Sequence, residues 1–224
     1  DYSFDLTGWD LSSLQSAYKF FDEFGYNANN INIDVSNWNL SNLTVISNEL
    51  FRKVGYDANS INLIMKNINL STSSNLREDF AYLGYNAKKV YLDLTNADFS
   101  GATIVSDTFF AIGANSDELV IEAPNVNFDS LVDGSELFMS VGVSAKSYKV
   151  NLKNWSISSL NSMEKMFYNN GGGEEFELDL TGWDTSNVNN MSQVFYRIGL
   201  NANELVIKGI DNWNTSNVED MSHM

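Results

Sequence analysis

The sequence predicts an α/β repeat solenoid, a curved stack of parallel strands on the concave side and helices on the convex side, with about 29 residues per repeat. Three observations predict it: a Phe-x-x-x-Gly motif that recurs along the chain, a second marker that is most often Trp, and segments of strictly alternating apolar residues between them. Residues 1–224 are therefore expected to form one solenoid domain of about seven and a half repeats, cut from a longer array. The repeats start near Asp1, Asn30, Ser60, Lys89, Glu118, Ser147, Glu175 and Glu204.

The two markers define the repeat. The Phe of the first marker stands at Phe21, Phe51, Phe80, Phe109, Phe138, Phe167 and Phe195, each followed four residues later by Gly. The second marker stands at Trp9, Trp38, Ile68, Ala97, Val126, Trp155, Trp183 and Trp213. Aromatic residues at a fixed repeat position usually form its core, so we expect a buried Phe column and a largely buried Trp column rather than stacking platforms for sugars.

A turn and then a helix are expected at each second marker. Asn or Gly precedes the marker, as at Asn37, and these residues tolerate a left-handed backbone. Asp or Asn usually follows it, as at Asn39, with a side chain that can bond nearby backbone amides. Ser two residues later suits a helix N-cap, and the Gly after Phe suits a helix C-cap. Apolar spacing such as Leu14, Ala17 and Phe21 indicates helices of about 10 to 12 residues between those caps.

Strands follow the helices after a short polar corner such as 26–29. Alternation at Ile31, Ile33 and Val35 predicts a strand with one buried face. Neighbouring strands lie about 4.8 Å apart and helices need about 10 Å, so the stack is expected to curve with its strands on the concave side.

The segment Trp183-Asp184-Thr185-Ser186-Asn187-Val188-Asn189-Asn190-Met191-Ser192-Gln193-Val194-Phe195 resembles the BspA-like leucine-rich-repeat surface proteins of bacteria, in the subgroup of mycoplasmal and listerial surface lipoproteins. The resemblance extends over the chain, strongly in the last two repeats and weakly from Ile68 to Val126. It implies a leucine-rich-repeat-like coil and a secreted bacterial protein at the cell surface, anchored by a lipid or wall-sorting signal outside this segment. It also implies a role in adhesion or protein binding.

Composition narrows the partner classes. The net charge is -16, which disfavours nucleic acid, and no apolar run approaches the roughly 20 residues of a membrane span. Cysteine is absent, which excludes disulfides and thiolate chemistry. The single histidine, His223, lacks a defined catalytic partner, so we expect no enzyme activity, no catalytic residue and no cofactor.

Paired carboxylates are expected on the strand face. Adjacent strands place Asp5 beside Asp34, and Asp93 beside Glu122. Like charges about 4 Å apart cost about 1 to 4 kcal/mol. A bound calcium ion could relieve them, but screening, splayed rotamers and hydrogen bonds to neighbouring Asn are simpler explanations, so no metal site is predicted.

The candidate binding residues lie on the same strand face, where the central repeats replace polar consensus residues by Ile64, Tyr91 and Val120. Ordinary sequence drift would explain that divergence equally well. The leading hypothesis is a non-catalytic, adhesin-like surface protein that binds a protein or glycan of a host or neighbouring cell; the alternative is a structural stalk that presents another domain. The full set of candidates is Asn32, Asp34, Asn62, Ile64, Tyr91, Asp93, Val120, Glu122, Lys149 and Asn151.

Overall fold

Eight parallel strands form one continuous sheet in the computed structural model, which describes residues 1–43 and 49–224. Each strand pairs with the next one in the chain, so the molecule is a parallel β-solenoid. In the described residues no helix is long and apolar enough to cross a membrane. The strands are β1 (Tyr2–Asp5), β2 (Asn30–Asp34), β3 (Ser60–Ile64), β4 (Lys89–Asp93), β5 (Glu118–Glu122), β6 (Ser147–Asn151), β7 (Glu175–Asp179) and β8 (Glu204–Lys208).

The predicted alternation of the strands is confirmed. In β2, Ile31 and Ile33 are buried, whereas Asn30 and Asn32 are exposed. The register pairs equivalent residues without a shift, so Ile33 lies beside Leu63 of β3. Strands β2 to β7 therefore each contribute two buried apolar side chains to a core that runs through the stack, whereas the equivalent side chains of β1 and β8, at its ends, are more exposed. The alternate side chains form an outward strand face.

The predicted helices are wrong. Within the described residues the one helical element is a three-residue 3-10 helix at Ile210–Asn212. Where helices were expected, the chain makes consecutive turns; the helix expected in the second repeat includes 44–48, which lie outside the described residues. In the part of the chain that the structure describes, the Ser residues expected as helix N-caps and the Gly residues expected as C-caps therefore cap no helix.

The third coil explains how these turns are built. Amides of alternate residues close turns within the coil, as from Leu83 N–H to the Phe80 carbonyl at 3.1 Å and from Tyr85 to Tyr82 at 3.1 Å. The amides between them donate to neighbouring coils, as from Gly84 to the Val54 carbonyl at 2.8 Å. Tyr82 and Gly84 have φ of 60°, as the third residue of a type II turn requires. In an α-helix all these amides would donate to carbonyls of the same coil, so the hydrogen bonds between coils would be lost.

The apolar spacing suited both structures, because a helix and a run of turns each return residues three or four positions apart to the same side. The distance between coils distinguishes them. Successive rings of the Phe column have centroids 4.8 to 5.8 Å apart, about half the diameter of a packed helix. Since the turns stack nearly as closely as strands, the mismatch from which a concave strand side was predicted does not exist.

The two aromatic columns form the core as predicted. Phe51, Phe80, Phe109, Phe138 and Phe167 are buried and stacked. Trp38, Trp155 and Trp183 are also buried, and each indole N–H donates to a backbone carbonyl of the preceding coil, at 2.6 to 2.8 Å. Trp9 in the first coil is half exposed. The buried rings are therefore inaccessible as stacking platforms for sugars.

Asn and Asp shape the corners, as predicted. Left-handed φ occurs at Asn37, Asn67, Asn96, Asn125 and Asn154, and the amide side chain of each of the last four donates to the one before it at 2.9 to 3.2 Å. The Asn and Asp residues after the second marker accept hydrogen bonds from backbone amides two positions on, as Asp98 does from Ser100 at 3.0 Å. Gly8 and Asn212, in the terminal coils, lack the left-handed backbone expected of them.

Candidate binding face

All ten residues predicted for binding lie on the outward strand face of β2 to β6. The register forms two rows across the sheet. The structure thus brings these side chains together, and ligand binding by them stays a prediction. The middle row contains Asn32, Asn62, Tyr91, Val120 and Lys149, and the end row contains Asp34, Ile64, Asp93, Glu122 and Asn151.

Asp93 is the most deeply buried member of the face, at 2 % exposure. One carboxylate oxygen accepts hydrogen bonds from the backbone and hydroxyl of Thr95, at 3.0 and 2.6 Å. The other accepts from the hydroxyl of Tyr91 and lies 3.1 Å from the ammonium of Lys66. Because protein donors surround both oxygens, this carboxylate holds the end of its strand and has little capacity left for a calcium ion.

The charge of this cluster follows from those contacts. Burial favours the neutral acid, but the hydrogen bonds from Thr95 and the contact with Lys66 outweigh it and lower the pKa of Asp93. Burial, followed by the neighbouring Asp93 charge, raises the pKa of Tyr91 to about 12. At neutral pH Tyr91 is therefore an uncharged donor to an ionised Asp93.

The remaining paired carboxylates are also satisfied by hydrogen bonds. Asp5 accepts from the hydroxyl of Thr7 at 2.7 Å, and Asp34 accepts from the amide of Ser36 at 2.9 Å. Glu122 accepts from the side chain of Asn151 at 2.7 Å, as one of the sequence interpretations anticipated. In residues 1–43 and 49–224 no three His, Cys, Asp or Glu side chains are grouped as a metal site would need.

A shallow depression of about 180 Å³ extends this face beyond the predicted residues. Lys153 pairs with Asp179 at 3.2 Å, and Lys208 pairs with Glu177. Lys149 is exposed and forms no ion pair in the described part of the chain. This extension lies beyond the residues predicted from the sequence, although adding one repeat length to Lys149 and Asn151 leads to Glu177 and Asp179 of β7. The depression is lined by Glu122, Lys149, Val150, Asn151, Lys153, Glu177, Asp179 and Lys208.

The comparison with protein families gives two overlapping matches to one model, described as "Mycoplasma protein of unknown function, DUF285", over residues 1–121 and 114–224. The chain belongs to the DUF285 family. Comparison with curated proteins and with solved structures found no match. The family description assigns no activity, so a function has to be inferred from the geometry of the outward strand face.

In this DUF285 chain the two sides of the sheet differ in regularity. The inward positions are apolar in all eight strands, as in Val90 and Leu92 of β4. The middle outward row instead changes from Asn62 to Tyr91, Val120 and Lys149 on successive strands. Packing of the core does not require this variation, because the side chains concerned lie outside it.

Proposed function

We propose that this protein is a non-catalytic bacterial cell-surface repeat protein, adhesin-like in action, that binds a macromolecule of a host or neighbouring cell through its outward strand face. The family description supports a bacterial, mycoplasma-type origin. The resemblance of residues 183–195 to BspA-like surface proteins supports an extracellular location, with anchoring by a lipid or wall signal outside this segment. The partner is a surface protein or a glycan.

The observation that carries the proposal is the apolar and cationic interruption of the middle outward row. Tyr91 and Val120 are only partly buried, and Val120 lies beside Lys149, an exposed cation without an ion pair among the residues that the structure describes. A spacer needs no such patch, since uniform Asn and Asp would serve its solubility better. Partly buried aromatic and apolar side chains next to a charge are typical of the centre of a protein interface.

A non-catalytic role is proposed because the acidic side chains of this face serve the fold. Asp93 is fixed by Thr95 and Lys66, and Glu122 is bonded to Asn151. The one histidine, His223, is exposed and meets the ring of Tyr196 edgewise with centroids 6.2 Å apart. None of these groups is arranged as a nucleophile with its base.

The test is saturable binding by the full chain to a panel of extracellular-matrix proteins, mucins and glycans, measured on a biosensor. The double variant Tyr91→Ala, Val120→Ala is expected to weaken the binding at least tenfold. The matched control is Val206→Ala, since Val206 belongs to the same row but lies two strands beyond Lys149. Equal affinity of the double variant and the wild type would contradict the proposal, as would a panel without any saturable ligand.

The alternative is a structural stalk, and one observation favours it. The side-chain ladder from Asn37 to Asn154 continues without a break through five coils, so the array is braced along its length. A stalk predicts no saturable ligand for the isolated chain.

A further inference from the structure

A groove of about 300 Å³ lies on the turn side of the first three coils, away from the outward strand face. Two adjacent columns of turn residues form its walls. One wall contains Glu23, Lys53 and Tyr82, and the other contains Tyr26 and Tyr56. The sequence pattern predicts only a polar corner at 26–29, so the aromatic surface there is a finding of the structure.

Stacked tyrosines form one wall. The rings of Tyr26 and Tyr56 are nearly parallel, with centroids 5.6 Å apart, and Tyr56 stacks on Tyr85 at 5.0 Å. Tyr26 is 59 % exposed. A hydrogen bond to Asp57 raises the pKa of the Tyr26 phenol, and burial raises that of Tyr56. Both hydroxyls are therefore uncharged at neutral pH and can each donate and accept hydrogen bonds.

The opposite wall combines an ion pair with a fourth tyrosine. The ammonium of Lys53 lies 2.9 Å from the carboxylate of Glu23. Tyr82 follows in the same column and meets the ring of Tyr85 edgewise, at 61°. Backbone bonds to the next coil hold the wall, from Lys53 N–H to Ala81 and from Tyr82 N–H to Phe110, both at 2.8 Å. The groove is thus formed before any ligand arrives, which reduces the ordering cost of binding.

The groove is confined to these coils. The stack itself does not need tyrosine on its turn side, because the core aromatic column lies inside it and continues unchanged to Phe167. In the following coils the columns contain other residues. At the equivalents of Tyr82 they are Ala111, Ser140, Asn169 and Arg197, and at the equivalents of Tyr56 and Tyr85 they are Ala114, Val143, Gly172 and Leu200.

We propose that this groove binds a neutral saccharide. The charges of Glu23 and Lys53 cancel, and the overall charge of -16 disfavours an anionic polymer. The polarised C–H groups of a sugar ring can pack against the negative face of a tyrosine ring. Its hydroxyls can exchange hydrogen bonds with the phenol groups and with the Glu23–Lys53 ion pair. A volume of about 300 Å³ is at the lower end of the range for small-molecule sites, as one or two sugar rings require.

A proline-rich peptide is the competing ligand class, since such segments bind aromatic-lined grooves. It fits less well. A proline ring needs space between separated aromatic rings. The ring centroids of Tyr26, Tyr56 and Tyr85 are only 5.0 to 5.6 Å apart, so no such space lies between neighbours.

The test is titration of the full chain with neutral oligosaccharides of glucose, galactose and N-acetylglucosamine, followed by saturation-transfer NMR and calorimetry. We expect saturable binding by one of these series and at least a tenfold loss of affinity in Tyr82→Ala and in Tyr56→Ala. The matched control is Tyr196→Ala, because Tyr196 is also partly exposed and stacks on Tyr168 at 5.4 Å, but lies far from the groove. Lys53→Gln, which changes a partly exposed side chain without opening the core, is expected to weaken binding too and serves if a tyrosine variant unfolds.

Three results would overturn this inference. They are no saturable binding of any of the neutral oligosaccharides, equal losses in Tyr82→Ala and Tyr196→Ala, and saturable binding of a poly-proline peptide in their place. The groove lies away from the outward strand face, so the control variant Val206→Ala is expected to leave saccharide affinity unchanged, and Tyr56→Ala is expected to leave binding at the outward strand face unchanged. Failure of one site therefore does not resemble failure of the other.

Discussion

The buried phenylalanine column should dominate the stability of the stack, and Phe109 is the position at which to measure it. Its ring is 1 % exposed and lies between Phe80 at 5.3 Å and Phe138 at 4.8 Å, with interplanar angles of 16° and 10°. Truncation of a fully buried Phe costs about 3 to 5 kcal/mol. Because both faces of this ring are covered, Phe109→Ala is expected at the upper end of that range.

Phe109→Leu separates burial from ring stacking. Leucine retains most of the apolar volume but loses both aromatic contacts, each worth about 0.5 to 1.5 kcal/mol beyond area burial. We expect it to cost about 1 to 3 kcal/mol, clearly less than alanine. Phe195→Ala supplies the positional control, because Phe195 is only partly buried, and its cost should be smaller than that of Phe109→Ala.

Urea unfolding followed by circular dichroism and by tyrosine and tryptophan fluorescence is the assay, and coincidence of the two signals checks that the transition is two-state. A loss below about 1 kcal/mol in Phe109→Ala would refute the reasoning, since it lies far below the cost of any fully buried Phe. Equal costs for alanine and leucine would show that the ring position is insensitive to side-chain volume, which also contradicts a packed column.

Three further predictions concern the corners and the charges. In urea unfolding, Asn96→Ala should destabilise the protein by about 1 kcal/mol more than Asn96→Gly. Both variants lose the side-chain hydrogen bonds to Asn67 and Asn125, but only alanine disfavours the φ of 58° at this position. Equal costs would contradict the left-handed backbone. Trp155→Phe should cost about 1 to 3 kcal/mol, because it removes the indole hydrogen bond to the Ala123 carbonyl. Trp9→Phe should cost less than about 0.5 kcal/mol, because Trp9 is half exposed. Thermal unfolding should rank the two variants in that order, and a reversed order would count against the buried column. Asp93 has a lowered pKa, so its contribution to stability is complete above its unfolded pKa of about 3.9 and is lost as pH falls through the lower folded value. Stability should therefore fall less steeply with acid in Asp93→Asn, and an unchanged slope would mean that the bonds from Thr95 and the contact with Lys66 do not stabilise the ionised carboxylate.

Much of the fold was predictable because the repeat makes each local signal recur. Alternation located the strands, and the Asx turn at Asp98 and the left-handed Asn37 follow from the chemistry of single side chains. The runs of turns that replace the expected helices were not predictable in the same way. Phe80, Leu83 and Ala87 return to one side of a run of turns as they would in a helix, and what decides between the two is hydrogen bonding to coils a whole repeat away.

The candidate sites divide similarly. The outward rows were predictable because strand register follows from the repeat. Tyr91 and Val120 are one repeat length apart in the sequence and therefore lie side by side on adjacent strands. The role of Asp93 was not, because Lys66 reaches it from the loop after the preceding strand. The tyrosine groove was not predicted because its walls join residues of neighbouring coils. Helices about 10 Å in diameter would have held those coils apart, whereas the rings of Tyr26 and Tyr56 stack 5.6 Å from each other.

The most direct test of the account is the backbone Cα chemical shifts of residues 78–87 in solution, measured by NMR on the labelled chain. This segment carries both the closing turns of the third coil and part of the tyrosine groove. The account predicts no sustained helical shift and left-handed values at Glu78, Tyr82, Gly84 and Asn86. An unbroken run of helical shifts through this segment would contradict it, because a helix there would remove the bonds between coils and the groove together.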